Sequence, residues 1–143
     1  MNTPKTRGLR PGVLLVDDEE EERGLLSELL DTERVSVVGQ ASDGLEGVEL
    51  ARALKPDVVL MDLRMPRLGG FEATRIINEE LPFTQVIILT AYEGPLPERS
   101  AEEAGAYAYL VKGCAVEFIR DMIVQAWHYK AGLEERAAQA QQI

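Results

Sequence analysis

Four short apolar runs punctuate the chain: VLLV (13–16), VVLM (58–61), VIIL (86–89) and YAYLV (107–111). Continuous apolar runs of this length fit parallel strands covered on both faces. A fifth run, VSVVGQA (35–41), alternates only in part and predicts an edge strand. Between the runs, apolar positions recur at helical spacing. Leu25, Leu26, Leu29 and Leu30 form one stripe within 19–31. Leu45, Val48, Ala51 and Leu54 do so within 44–54, and Phe71, Thr74, Ile76 and Ile77 within 70–79. An Ala-rich segment at 97–104 is weakly apolar, and Ile119, Met122, Ile123, Ala126 and Trp127 give the clearest helix, at 115–129. Prolines 56, 66, 82, 95 and 97 fall between periodic segments, where a missing N–H does least harm. Pro95 and Pro97 are expected to stiffen the loop before the fourth helix and to shorten it. The order is βαβαβαβαβα. That alternation predicts an α/β fold with a doubly wound five-stranded parallel sheet and right-handed crossovers.

Composition narrows the class. The 143 residues suit one domain, and 45% hydrophobic residues suffice for a core. A net charge of -10 argues against direct binding to nucleic acid or an anionic membrane. The N-terminus, MNTPKTRGLRPG, lacks the apolar stretch of a signal peptide. A single cysteine, Cys114, leaves no internal disulfide and no cysteine metal cluster. The cytoplasm is the expected compartment.

Ligands of open α/β sheets bind outside the carboxyl ends of the strands. Strand one ends at Asp17 and Asp18, strand three at Asp62, strand four at Thr90 and strand five at Lys112. Three carboxylates in one place repel, and a hard divalent cation such as Mg2+ relieves them through oxygen ligands. Lys112 offers a compact positive charge to an anionic group, and Thr90 a hydroxyl. A carboxylate nucleophile, Mg2+, a lysine and a hydroxyl form a phosphoryl-transfer set. Asp62 is the expected nucleophile, because it stands alone after a central apolar strand. The acidic run continues as Glu19 to Glu22, read as the first helical turn, where negative charge complements the helix dipole.

The motifs VLLVDDE, PDVVLMDLRMP, GGFEATRII, VIILTAY and AYLVK, in that order, strongly resemble the receiver domain of bacterial two-component response regulators. The match covers about residues 12–130, with 1–11 as a flexible leader and 131–143 as a polar tail or linker. That tail either extends the last helix or frays beyond Gly132. The resemblance implies a flavodoxin-like fold with strand order 2-1-3-4-5. It implies that Asp62 is the phosphoacceptor for a sensor histidine kinase, in a chain that is a regulator and catalyses only its own Mg2+-dependent phosphorylation and dephosphorylation. Asp18, Asp62 and the backbone carbonyl of Arg64 would hold Mg2+, with Asp17 orienting a metal-bound water. Lys112 would bind the phosphoryl group, Thr90 and Tyr109 would switch, and Arg64 and Tyr92 would tune dephosphorylation. The readout face would be helix four, strand five and helix five (residues 95–129). It would engage an effector domain or protein partner, or form a homodimer. The usual proline after the lysine is here Gly113.

Both a single-domain regulator and the receiver part of a longer transcription factor fit this pattern. A hydrolase of the haloacid dehalogenase type would carry an acid two residues past its nucleophile, where this chain has Arg64. A docking module without chemistry would not need the whole polar set. His128 is read as a surface or capping residue, Cys114 as structural and Trp127 as packing.

Overall fold

The structure, a computed structural model, describes residues 9–91 and 94–141. Five parallel strands form one sheet in the order β2-β1-β3-β4-β5. They are β1 (Gly12–Val16), β2 (Ser36–Ala41), β3 (Val58–Met61), β4 (Gln85–Thr90) and β5 (Ala108–Val111). The helices are α1 (Glu20–Leu30), α2 (Gly44–Leu54), α3 (Gly70–Glu80), α4 (Pro95–Ala104) and α5 (Val116–Ala140). The expected order of elements and strands is therefore the observed one.

Alternation along each strand divides the core in two. Val13, Leu15, Leu60, Ile87 and Leu89 pack with Leu30 of α1 and Ile119, Ile123 and Ala126 of α5. Leu14, Val16, Val59, Met61, Val86 and Ile88 pack with Val48 and Ala51 of α2, Ala73 and Ile77 of α3, and Ala101 of α4. Continuous apolar strands are thus explained: each face feeds a separate layer of helices.

Several local expectations change. Only Leu30 of the α1 stripe is buried, while Leu25 and Leu29 are exposed; Leu45 and Leu54 of α2 are exposed too. Pro95 and Pro97 lie inside the first turn of α4 and not before it. The first-turn N–H groups of a helix have no intrahelical acceptor, so proline costs nothing there. α5 runs through Gly132 to Ala140, so the polar tail is helical over most of its length. Lys130 supports it by pairing with Glu134 one turn on, at 3.0 Å, and with Asp57 before β3, at 3.1 Å. Cys114 lies just before α5 and packs against the core, as a structural residue would. Trp127 is half-buried and His128 exposed.

Gly70 opens α3 where that helix meets the end of β3. A Cβ there would fall on the backbone carbonyl oxygen of Asp62, leaving no room for any other residue. Gly70→Ala is expected to cost about 1–3 kcal/mol, the usual penalty of overpacking. Urea denaturation followed by far-UV circular dichroism measures it, and an unchanged midpoint would contradict the close approach.

Candidate functional site

Sheet register assembles the site. Val16 pairs with Met61, so the next residues, Asp17 and Asp62, emerge side by side. Thr90 pairs with Val111, so Lys112 follows beside it. The ladder continues past the strand ends. Asp17 N–H donates to Ala41 O, Asp62 N–H to Val16 O and Lys112 N–H to Thr90 O, at 2.8–3.0 Å. Each site residue therefore leaves a backbone that is itself fixed.

Carboxylate oxygens of Asp17, Asp18 and Asp62 lie within 4.8 Å of one another. Asp18 is exposed and Asp62 buried. Lys112 Nζ lies 2.9 Å from Asp17 Oδ2 and 3.6 Å from Asp62 Oδ2. The Leu63 N–H donates to Asp62 Oδ1 at 2.8 Å, and Thr90 also hydrogen-bonds this carboxylate. Asp62, Arg64, Thr90, Ala91 and Lys112 line an open cavity of about 300 Å3. Lysine, hydroxyl and buried carboxylate thus face one space, with the acidic cluster beside it. All the acidic donors are oxygens, the ligand type of a hard divalent cation.

Burial pushes the Asp62 carboxyl above its ordinary range. The Lys112 ammonium pulls it down, Asp17 pushes it further up, and the hydrogen bonds from Leu63 and Thr90 lower it; burial prevails. Burial alone would weaken the Lys112 charge. Hydrogen bonds to Asp17 and Glu22, with the charges of Asp62 and Asp17, outweigh it and hold Lys112 above the ordinary lysine value.

The remaining expected residues are placed as follows. Arg64 is exposed at the cavity. Tyr109 is half-buried against the cluster that holds Met61 and Ile88. It also lines a groove of about 390 Å3 between α4 and β5, with Pro95, Glu98, Arg99, Ala101 and Tyr107. Tyr92 lies outside the described residues. All peptide bonds among the described residues are trans, that between Lys112 and Gly113 included. Gly113 takes a φ of 104°, a left-handed turn suited to glycine, in place of the usual proline.

Three residues escaped the sequence reading. Glu22 is not only a helix-dipole charge: its Oε1 lies 3.1 Å from Lys112 Nζ. Arg23 donates to the Asp17 carbonyl at 2.6 Å and to Gln40 at 3.0 Å, fastening the β1 end to the edge strand. Asp43 caps α2 through the Glu46 N–H and pairs with Arg67 at 2.8 Å, tying down the loop after β3. The Glu46 N–H, helped by Arg67 and against the effect of burial, holds the Asp43 carboxyl below its ordinary range. Charge order in the acidic run hinted at α1. Only the third dimension selects Glu22 from its neighbours.

Comparison with known proteins agrees with this geometry. The response regulator receiver domain model matches residues 13–124. The chain belongs to that family. It is 42% identical over 129 residues to Response regulator GacA of Pseudomonas aeruginosa, covering 89% of this chain and 60% of that protein. Identity to Transcriptional regulatory protein LiaR of Bacillus subtilis is 42% over 127 residues, covering 88% and 60%. The response regulator domain of Thermotoga maritima CheB superposes with a TM-score of 0.78 at 35% identity, covering 83% of this chain and 97% of that domain. The chain thus spans about three fifths of the length of these two curated relatives. Among the described residues, no helix is long and apolar enough to cross a membrane.

An acid whose folded-state pKa is raised weakens the fold once it ionises. Asp62→Asn removes that cost, while Asp17 and Glu22 keep Lys112 paired. In metal-free buffer at neutral pH the variant is expected to unfold at higher urea than the wild type. The gain should fade as pH falls through the folded-state value of Asp62 towards the ordinary carboxylate range, where both states are protonated. Urea titrations across that range check it; a gain that grew towards acid would contradict the raised value.

Proposed function

We propose that this chain, with residues 12–130 as its receiver unit, is a phosphorylation-dependent switch. Asp62 accepts a phosphoryl group from a sensor histidine kinase. The observation that carries this reading is the meeting of Asp62, Thr90 and Lys112 at one cavity beside Asp17 and Asp18. An Asp62 carboxylate oxygen attacks the phosphorus of a phosphohistidine. The P–O bond forms, the P–N bond breaks, and the imidazole leaves and takes up a proton. Asp18, Asp62 and the Arg64 carbonyl would hold Mg2+, and Asp17 would orient water beside them. Bound there, Mg2+ would supply the positive charge that offsets the crowded carboxylates and the charge developing on the phosphoryl oxygens.

Lys112 then pairs with a phosphoryl oxygen, and the Thr90 hydroxyl donates to another. Phosphorylation adds charge and strong acceptors at the end of β3, facing Thr90 of β4 and Lys112 after β5. Thr90 is drawn towards them, Tyr109 turns inward and the face of α4, β5 and α5 changes shape. Population of that second arrangement, and not new chemistry, is the output. Its readers are an effector domain or protein partner, or a second copy through the same face. Arg64 and Tyr92 tune the return step by controlling water access to the acyl phosphate. The chain acts as a regulator in the cytoplasm, without contacting nucleic acid itself.

Acetyl phosphate with Mg2+ should label Asp62 once per chain, as seen by intact-mass spectrometry and peptide mapping. Asp62→Ala should take no label. Asp18→Ala should label at least about 100-fold more slowly, the loss expected when several kcal/mol of charge stabilisation is removed. Glu21→Gln should change little. Rapid multiple turnover of acetyl phosphate without a stable label would instead favour a hydrolase.

Thr90→Ala should still take label but lose the response. Hydrogen exchange across residues 95–129 should change on phosphorylation of the wild type and stay nearly constant in the variant. A response of equal size in both would remove Thr90 from the switch.

A further inference from the structure

Lys112 has three ammonium hydrogens and three carboxylates around it. Two of those carboxylates are at hydrogen-bond distance, Asp17 Oδ2 at 2.9 Å and Glu22 Oε1 at 3.1 Å. Asp62 Oδ2, at 3.6 Å, lies beyond an ordinary hydrogen bond. The lysine is therefore drawn towards α1 and away from the expected phosphoacceptor. Asp17 belongs to the acidic cluster, so its share of that pull comes with the site. Glu22 does not belong to it; the carboxylate groups that converge are those of Asp17, Asp18 and Asp62. Its side chain is 61% exposed and reaches in from the first turn of α1.

We propose that Glu22 is a positioning residue for Lys112, a latch that holds the ammonium on the α1 side until a phosphoryl group competes for it. The proposal rests on the reading of Asp62 as phosphoacceptor. A phosphoryl group arriving at Asp62 presents oxygens that pair with Lys112 only if the lysine releases Glu22. Glu22 thus opposes phosphorylation, and the size of its effect is that of a partly exposed ion pair. That corresponds to about a threefold change in rate. Contact is the operative feature, more than charge in the neighbourhood. Glu20 and Glu21 lie in the same helical turn, yet neither has a hydrogen bond or ion pair to Lys112. Exposed charges without contact are screened over about a Debye length, roughly 8 Å at physiological salt.

The test is the initial rate of Asp62 labelling by acetyl phosphate at saturating Mg2+. In that step the carboxylate oxygen bonds to phosphorus and acetate leaves. Four chains are compared: wild type, Glu22→Gln, Glu22→Asp and Glu21→Gln. Glu22→Asp keeps the charge but is one methylene too short to hold the contact. Faster labelling of both Glu22 variants, by about threefold, with Glu21→Gln at the wild-type rate, is the expected result. The wild-type rate should also rise with ionic strength more than that of Glu22→Gln. Urea midpoints should match for wild type and Glu21→Gln. They should fall in the two Glu22 variants by no more than the loss of that ion pair, the same roughly threefold factor in the unfolding equilibrium; a larger fall overturns the latch in favour of a structural role. A wild-type rate in Glu22→Asp overturns the latch, leaving only a charge effect. Slower labelling of Glu22→Gln also overturns it, since Glu22 would then deliver the lysine. Equal rates in all four overturn the latch while leaving the phosphoacceptor reading intact; no label in any of them, wild type included, overturns both.

Discussion

Asp17, Asp18 and Asp62 repel one another, and the surrounding structure holds them together against that repulsion. Burial and the neighbouring charge of Asp17 both raise Asp62, so the carboxylate is costly to ionise where it stands. The backbone leaves it no alternative. Register between β1 and β3 places Asp17 beside Asp62, and each carries its own N–H bond to the adjoining strand. Lys112 supplies compensation from the other side of the sheet centre. The site is thus a loaded arrangement, and loading is useful. A group that needs a cation nearby responds to anything that changes local charge.

Support for that arrangement comes from outside it. Arg23 fixes the Asp17 carbonyl, and Asp43 with Arg67 fastens the loop that follows Asp62. Gly70 lets α3 begin directly against the Asp62 backbone. These contacts set where charge sits, while the two hydrophobic layers set where strands sit. Neither would place the carboxylates alone.

Much of this was legible in the chain because its signals are local or repetitive. Apolar runs of strand length gave the sheet, and polar residues at their ends gave Asp17, Asp18, Asp62, Thr90 and Lys112. Helix ends were read less well. Pro95 looked like a loop residue because proline breaks helix interiors, yet the first turn tolerates it. The tail's polarity fits both an extension of the last helix and a frayed linker, and alone does not decide between them; what holds its root is Lys130, paired with Asp57, a residue 73 positions earlier. The same limit hid Glu22, whose partner is 90 residues away. Contacts between distant side chains carry no periodic trace.

α5 is 25 residues long, or about 37 Å at 1.5 Å per residue. One half is gripped by the core through Ile119, Ile123 and Ala126, and Lys130 adds a last hold. Asp57, which takes that hold, also accepts the Gly12 N–H at the start of β1 at 2.8 Å. The far half of the helix is therefore a lever whose pivot is bolted to the foot of the sheet. From Lys130 to Ala140 is about 15 Å, so a tilt of about 5° at the pivot swings the far end by about 1.3 Å. Rotation about that pivot is thus carried outward along a rigid rod that the core does not hold beyond it.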